Sequence, residues 1–409
     1  MKPIYKTNIL QGHSRPIKNL RFSKSGSVVY SASADRQVIK WDIITNQKLF
    51  TYPHQTCVNV ICISPTDVLM LTGDSTGCIY IWDTTQNILL NKIEFESCLN
   101  VRSVQMSTDS LYVIVTLASR AKNSSSFVNA YTLQSLLPTP PPTPTPPIEE
   151  QTIYTTDNTV TPTTTANTKQ QQVPPYFKQF ICGNVETKYV QSKFTNYNKS
   201  IVISREDGGL ELINFENNHL ISSNSFHKET ILDFDIDFEH GIILTASKDG
   251  YLSVINLNTF QLIRQFHPQN PTRNLNACCI CVVDNPYYVS NNKDAGKISL
   301  DNLFDVNADI DDLFGNASSQ LKYGKQKEII IAITSGGQDS RFVTTTNQKE
   351  GGFDIILYNA MNGEELASFL DHFGPVNALA VNGNTLASGA EDATVRLHKI
   401  DHYLFNKKT

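Results

Sequence analysis

A repeat of 41 residues limits most strongly what this chain can fold into. His13 precedes a Trp-Asp pair at Trp41 by 28 residues, and His54 precedes a second Trp-Asp pair at Trp82 by the same 28. Each unit contains an apolar segment, a Ser/Thr-rich segment and a segment that ends in Trp-Asp. A period of ~40 to 45 residues with these marks is typical of a four-stranded propeller blade. The repeat therefore predicts an all-β chain made of consecutive blades.

Degenerate copies of the unit continue to the end of the sequence. His227 and Asp249 precede an Ile-Asn pair by the same 28 and 6 residues that separate His13 and Asp35 from Trp41. The last copy has His372, with His398 where the first units have Trp. Weaker third, fourth and sixth copies bring the count to seven, so we predict a seven-bladed β-propeller.

Two long insertions interrupt the seven units. Residues 134–178 hold 10 of the 18 prolines and 12 threonines, and a segment so poor in apolar side chains is predicted to be disordered. Residues 285–328 form an acidic insertion in blade 6. The remaining chain divides into residues 1–133 for blades 1 to 3, residues 179–284 for blades 4, 5 and the start of blade 6, and residues 329–409 for the rest of blade 6, blade 7 and a tail.

The first residues of the chain have no blade of their own. Ile4 to Leu10 precede the first His, while the last repeat runs out of strands at Val395 to Ile400. An unpaired edge would expose a row of backbone donors and acceptors, which proteins avoid by closure or cover. We therefore expect the N-terminal strand to complete the last blade and close the ring.

The recurring His, Ser/Thr and Asp residues resemble a Ser-His-Asp hydrolase triad, which is the alternative enzymatic hypothesis. A triad occurs once in a chain, whereas this set returns in several repeats. We therefore predict a structural hydrogen-bond network in each blade and no catalytic residue. The predicted network comprises His13, Ser33, Asp35, Trp41, His54, Thr72, Trp82, His227, Thr245, Asp249, His372, Ser388 and Asp392.

Composition excludes several other classes of function. The 34 Lys and Arg residues against 39 Asp and Glu give a formal charge of -5, which does not suit autonomous nucleic-acid binding. No stretch reaches the 18 apolar residues of a membrane span, and we expect a cytoplasmic protein. The cluster at Cys278, Cys279 and Cys281 lacks partners at zinc spacing, so we predict no metal and no cofactor.

The Trp-Asp units identify the chain as similar to the WD-repeat family. Further motifs resemble the family of i subunits of eukaryotic translation initiation factor 3, and a related family, the serine-threonine kinase receptor-associated proteins, shares the His-Phe-Gly-Pro motif. The motifs that carry the narrower resemblance are Leu10-Gln11-Gly12-His13, Gly336-Gly337-Gln338-Asp339, Val343-Thr344-Thr345-Thr346, His372-Phe373-Gly374-Pro375 and Val395-Arg396-Leu397-His398.

The resemblance implies a noncatalytic propeller that joins the b and g subunits of the factor. It further implies support of pre-initiation complex assembly and scanning on the 40S ribosomal subunit, with only indirect contact with mRNA. A kinase-receptor or splicing-linked adaptor of the same fold is the alternative. In the resembled family a helix of the b subunit lies near the fifth and sixth blades, and the matching candidate surface here is Phe226, His227, Asp233, Lys248 and Asp249.

The insertion at residues 134–178 should be dispensable for folding. Doubling a loop's length costs only ~0.6 kcal/mol, and this segment has few apolar side chains to bury. Replacing Pro138 to Thr168 with a short Gly/Ser linker should leave the melting temperature in a thermal denaturation scan within a few degrees. A decrease of more than ~10 °C, well above the 2–4 °C that ~1 kcal/mol produces in a large domain, would contradict this.

Overall fold

The described part of the chain folds into seven four-stranded antiparallel sheets. The computed structural model describes residues 7–95, 99–119, 126–138, 176, 178–181, 187–195, 198–267, 274–284, 328–337 and 352–400. The predicted disorder of the Pro/Thr-rich insertion, the acidic side chains of the second insertion and the tail after residue 400 lie outside these residues. Within them, 28 strands and one four-residue helix were found.

Each blade takes four strands, numbered in chain order. Blades 1 to 4 contain β2 Ile17–Phe22, β3 Val28–Ser33, β4 Gln37–Asp42, β5 Lys48–Pro53; β6 Val58–Ile63, β7 Leu69–Asp74, β8 Cys78–Asp83, β9 Ile88–Glu94; β10 Leu99–Met106, β11 Tyr112–Ser119, β12 Ser126–Thr132, β13 Lys178–Ile181; and β14 Tyr189–Phe194, β15 Ser200–Arg205, β16 Gly209–Asn214, β17 Leu220–Ser225. Blades 5 to 7 contain β18 Ile231–Asp237, β19 Ile242–Ser247, β20 Leu252–Asn256, β21 Leu262–Phe266; β22 Asn274–Asp284, β23 Glu328–Gly337, β24 Ile355–Asn359, β25 Glu365–Phe369; and β26 Val376–Asn382, β27 Thr385–Ala390, β28 Val395–Lys399, β1 Asn8–Leu10. The prediction of a seven-bladed all-β propeller is confirmed.

The hydrophobic core lies between neighbouring blades. Alternating side chains of each sheet point to opposite faces, and the apolar ones pack against the next blade. The cluster between blades 7 and 1, for example, joins Ile39 and Trp41 to Ala387 and Leu397. Because each blade buries one face on each neighbour, no blade has a complete core alone.

Pairing of the two chain ends closes the ring. β1 forms the outer strand of blade 7 and pairs antiparallel with β28, with Asn8 opposite Leu397 and Leu10 opposite Val395. Leu10 is buried in the cluster between blades 7 and 1. The predicted closure is confirmed for the described residues of this strand, while residues 1–6 lie outside them.

Polar side chains of the inner strands connect every blade to the next. Asn59 Nδ2, for example, donates to Asn100 Oδ1 across the junction of blades 2 and 3 at 2.9 Å, and Asn377 Nδ2 donates to the Ile17 carbonyl across the junction of blades 7 and 1 at 3.2 Å. We call the whole set the inner-strand belt. Its members are Asn19, Asn59, Gln105, Gln191, Asp233, Asp235, Asn276 and Asn377.

The two ends of the ring differ in which turns they carry. The inner strand of each blade runs from what we call the upper face to the lower face. The upper face therefore has the turns between the second and third strands, such as the turn at Lys248. The lower face has the turns between the first and second strands and between the third and fourth, such as those at Val68 and Ile44.

The structure corrects the boundaries of both insertions. Residues 133–136 form the helix α1 (Leu133–Leu136), whose Leu136 is buried in the core between blades 2 and 3. β13 begins at Lys178 and is the fourth strand of blade 3, so blade 3 is completed after the first insertion and not before it. Glu328 begins β23 and belongs to blade 6. Sequence periodicity missed β13 because a strand of four residues is too short to show alternation.

Removing the buried side chain of the closing strand should destabilise the whole protein. Leu10 is 1 % exposed whereas its neighbour Ile9 is 44 % exposed on the other face of β1. We expect Leu10→Ala to reduce the free energy of unfolding by about 2 to 4 kcal/mol, measured by urea denaturation. Ile9→Ala is the matched control and should cost less than about 1 kcal/mol. Equal effects of the two substitutions would argue against a closing role for the buried face.

Candidate functional site

The first Trp-Asp unit forms a chain of buried hydrogen bonds. His13 Nδ1 lies 2.8 Å from Asp35 Oδ2, and His13 Nε2 lies 2.7 Å from Ser31 Oγ. Trp41 Nε1 donates to the same hydroxyl at 2.8 Å. Because a carboxylate only accepts, His13 Nδ1 donates to Asp35 and the Ser31 hydroxyl donates to Nε2. The chain ties the entry to the blade to its second and third strands.

The hydroxyl in this chain is that of Ser31, and the prediction of Ser33 is wrong. Ser33 Oγ donates instead to the Arg15 carbonyl at 2.8 Å and accepts from the Asp35 amide at 3.1 Å. Both serines point to the same face of β3 because they are two residues apart, so residue type does not distinguish them. The 18-residue spacing from His to hydroxyl, shared by His13 and His227, is the signal that would have done so.

The second unit has the same chain of histidine, hydroxyl and tryptophan, but no aspartate that the structure describes bonds to its histidine. His54 Nε2 lies 2.7 Å from Thr72 Oγ1, and Trp82 Nε1 donates to that oxygen at 3.1 Å. His54 Nδ1 lies 3.1 Å from the Tyr52 carbonyl instead of a carboxylate. Asp74 caps the following turn by accepting from the Thr76 and Cys78 amides. Burial lowers the pKa of His54 to about 4, so its ring is neutral at pH 7.

Blade 5 repeats the arrangement without Trp. His227 Nε2 lies 2.8 Å from Thr245 Oγ1, and His227 Nδ1 lies 3.2 Å from Asp249. Burial alone would raise the pKa of Asp249, but the hydrogen bonds from His227 and from the Lys228 and Tyr251 amides together outweigh it, and the pKa falls to about 2. The carboxylate is therefore ionised at pH 7 and caps the blade.

Blade 7 uses a second histidine where the first units have Trp. His372 Nε2 lies 2.8 Å from Ser388 Oγ, and His372 Nδ1 lies 3.0 Å from Asp392. His398 Nε2 lies 3.0 Å from the same serine hydroxyl. Burial lowers the pKa of His398 to about 3. With both rings below 2 % exposed, this set has no room for a substrate carbonyl.

A β-bulge in every blade redirects one side chain of the inner strand near the upper face. The register between the first and second strands shifts by one residue near the upper end of all seven inner strands, and a bulge of this kind redirects one side chain. Five of the seven bulged residues line a cavity of about 500 Å³ at the upper mouth of the central channel. The bulged residues are Lys18, Asn59, Arg102, Val190, Leu232, Asn276 and Asn377.

The mouth of the channel is surrounded by charged side chains. Lys18 Nζ lies 3.3 Å from Glu391, and Arg102 lies 3.0 Å from Glu206. Lys248 is exposed on the blade 5 side of the mouth and forms no ion pair with any residue that the structure describes. Lys248 is therefore a cation at the mouth without a carboxylate partner in the described part of the chain.

The structure separates the five predicted partner-surface residues. Only Lys248 is exposed; His227 and Asp249 are part of the buried chain of blade 5 and cannot form an external contact surface, which corrects that prediction. Asp233 is in the inner-strand belt and accepts from the Cys278 amide at 3.1 Å, and burial raises its pKa. Phe226 is half-buried, with its ring 5.8 Å from that of Phe260.

Sequence reasoning missed an exposed aromatic ring on the upper face. Phe373 is 63 % exposed, and the Arg396 guanidinium lies 5.8 Å from its ring centroid. The side chain follows His372 in the loop that enters blade 7, at the position that Lys228 occupies after His227 in blade 5. This spacing could have indicated that the position is exposed.

Comparison with known proteins agrees with this geometry. The protein-family model described as WD domain, G-beta repeat, matches residues 4–42, 46–83 and 363–399. The first two matches cover the first two units, and the third covers the outer strand of blade 6 and the three strands β26 to β28 of blade 7. These segments of the chain contain WD40 repeats. None of the described helical residues forms a segment with the length and hydropathy of a membrane span, and the described residues contain no group of His, Cys, Asp and Glu side chains that could hold a metal ion.

The WD40 chain is also similar over its whole length to curated fungal proteins. It is 24% identical over 411 residues to a protein of Kluyveromyces lactis, covering 100% of this chain and 94% of the relative. A Schizosaccharomyces pombe relative is 23% identical over 413 residues, covering 100% and 99%, and a Saccharomyces cerevisiae relative is 23% identical over 406 residues, covering 98% and 94%. Each is named eukaryotic translation initiation factor 3 subunit I.

Removing the carboxylate from the hydrogen-bond chain of a blade should reduce the stability of the protein, because the role of that carboxylate is structural. Asp35→Ala and Asp392→Ala each leave a buried His donor unpaired, at about 1 to 3 kcal/mol, measured by chemical denaturation. Asp207→Ala is the control, because Asp207 occupies the same turn position in blade 4 but is exposed and pairs with Arg205 at 2.9 Å. The control should cost less than about 1 kcal/mol. Unchanged unfolding midpoints for both test variants would contradict the structural role.

Proposed function

We propose that this protein is a noncatalytic scaffold subunit of eukaryotic translation initiation factor 3 in the cytoplasm. It joins the b and g subunits and supports pre-initiation complex assembly and scanning on the 40S ribosomal subunit. The observation that carries the proposal is similarity over 98% to 100% of the chain to several relatives with the same name. Relatives that shared only the repeats would match parts of the chain.

The buried blade chains support the noncatalytic part of the proposal. In a Ser-His-Asp hydrolase the nucleophile must reach the substrate carbonyl. Here Ser31, Thr245 and Ser388 are 0 % exposed, and the first of them is bonded to both His13 and Trp41. A hydroxyl held in this way stabilises its blade and has no access to substrate.

We propose that the upper rim of blade 5 contacts the b subunit. Lys248 is exposed without an ion-pair partner among the described residues, and Phe226, in the loop that enters blade 5, is only partly buried against Phe260. An exposed cation and a partly exposed aromatic ring on one blade suit a helix that carries both acidic and apolar residues. The proposed contact therefore centres on Lys248 and Phe226.

Purification of the assembled factor tests the proposal. Tagged full-length protein isolated from its own cells should bring down the b and g subunits and 40S proteins, identified by mass spectrometry. Recovery of kinase receptors or splicing proteins without initiation-factor subunits would contradict the proposed function and support the adaptor alternative.

A charge reversal tests the proposed contact separately. Lys248→Glu should reduce recovery of the b subunit about tenfold, as expected for a central interface residue. Lys199→Glu is the matched control, because Lys199 is an exposed lysine beside the lower end of β15, and it should leave recovery unchanged. If both variants recover the b subunit like the wild type, the contact lies elsewhere while the subunit assignment stands.

A further inference from the structure

Exposed hydrophobic side chains are concentrated at one end of the ring. Of the twelve large hydrophobic side chains exposed in the described part of the chain, ten lie in turns or strand ends of the lower face, and the two others are Ile9 and Phe373. Seven of the ten belong to blades 1 to 3, and we call these the lower apolar patch. Its members are Ile44, Leu49, Val68, Ile88, Leu89, Leu111 and Tyr176.

Hydrogen bonds hold the elements of the patch side by side. Lys40 Nζ donates to the Thr84 carbonyl at 2.8 Å, which connects β4 of blade 1 to the turn before Ile88 in blade 2. Asn91 Nδ2 of β9 donates to the Leu136 carbonyl at 2.8 Å, which connects blade 2 to α1 of blade 3. The Leu133 amide donates to the Leu111 carbonyl at 2.8 Å. The patch therefore crosses three blades on one fixed framework.

Acidic side chains accompany the patch. The described residues of the lower turns of blades 1 to 3 include four aspartates, Asp42, Asp67, Asp83 and Asp109, against the two exposed lysines Lys24 and Lys48. A hydrogen bond from the Thr45 amide lowers the pKa of Asp42, and one from the Thr85 hydroxyl lowers the pKa of Asp83. Both carboxylates are ionised at pH 7. A concentration of exposed apolar side chains surrounded by charged ones is typical of a protein-binding site.

We propose that the lower apolar patch binds an amphipathic helix of a second partner protein, one that carries Lys or Arg beside its apolar stripe. Apolar anchors at i, i+3, i+4 and i+7 fit a surface of separated Ile and Leu side chains. The flanking cations pair with the aspartates of the lower turns. This surface lies at the opposite end of the ring from Lys248, so the chain can hold two partners at once.

Charge disfavours the two occupants that the chain itself could supply. The segment 139–175, which leaves after Pro138 and returns before Tyr176 at the edge of the patch, contains Glu149, Glu150 and Asp157 against Lys169. A second copy in a twofold contact would bring the same acidic turns together. Like charges in contact oppose both arrangements, whereas a basic helix complements the surface.

Cross-linking in the assembled complex tests the occupant. Zero-length carbodiimide joins a carboxylate to an amine that lies in contact with it, and mass spectrometry identifies the linked peptides. In complexes purified from cells with the full-length protein, Asp42 or Asp83 should link to lysines of one partner segment with helical apolar spacing. A link only to Lys169, or only between isotopically labelled and unlabelled copies of this chain, would overturn the proposal.

A double substitution tests whether the patch carries the binding. Ile44→Lys with Leu111→Lys alters positions that are 84 % and 59 % exposed, so the melting temperature should change by no more than a few degrees. The cross-linked partner should decrease about tenfold, while recovery of the proposed b subunit through Lys248 stays unchanged. The matched control is Ile221→Lys with Leu262→Lys, which are lower-face positions of blades 4 and 5 outside the patch. Unchanged cross-linking in the test variant, or equal loss in the control, would overturn the proposal even if the subunit assignment holds.

Discussion

The structure depends on a pairing between the two ends of the chain. Without β1 the seventh sheet would have three strands, and its edge would expose unpaired backbone groups beside an apolar face. The pair formed by Asn8 and Leu397 brings together residues that are almost the whole chain apart. Closing so large a loop costs entropy that grows only slowly with length, and the packing of Leu10 between blades 7 and 1 offsets that cost. Every blade then has two neighbours, which its two apolar faces require.

The inner-strand belt extends this dependence around the channel. Each blade junction has at least one hydrogen bond between a belt side chain and the next blade, and Asp233 and Asp235 both accept at the junction of blades 5 and 6, from the Cys278 and Ile280 amides. An unpaired amide at such a junction would cost about 1 to 3 kcal/mol. Hydrogen bonds and packing together therefore fix the angles between neighbouring blades. The upper and lower faces consequently keep a constant relative orientation.

The sequence alone predicts the blades, their number and the closure, because a period of about 41 residues and the His, hydroxyl and Trp spacings are local patterns. Side-chain choice within a strand is harder to predict, as Ser31 and Ser33 show: both lie on one face, and only the pairing register selects one. The sequence did not predict the inner-strand belt because its members lie on seven different strands. These strands become neighbours only in the closed ring. The prediction of His227 and Asp249 as partner-surface residues was wrong for a related reason: both carry the repeat's structural signature, and in that role their side chains are buried.

The bulge near the upper end of each inner strand has an evolutionary consequence. Seven backbones share one geometry there, yet their redirected side chains include Lys18, Arg102, Leu232 and Asn377. A side chain turned into the channel mouth is released from the packing between blades, so mutation can change its charge or size with little penalty to folding. New binding specificities can therefore arise at the mouth by single substitutions that leave the ring itself intact.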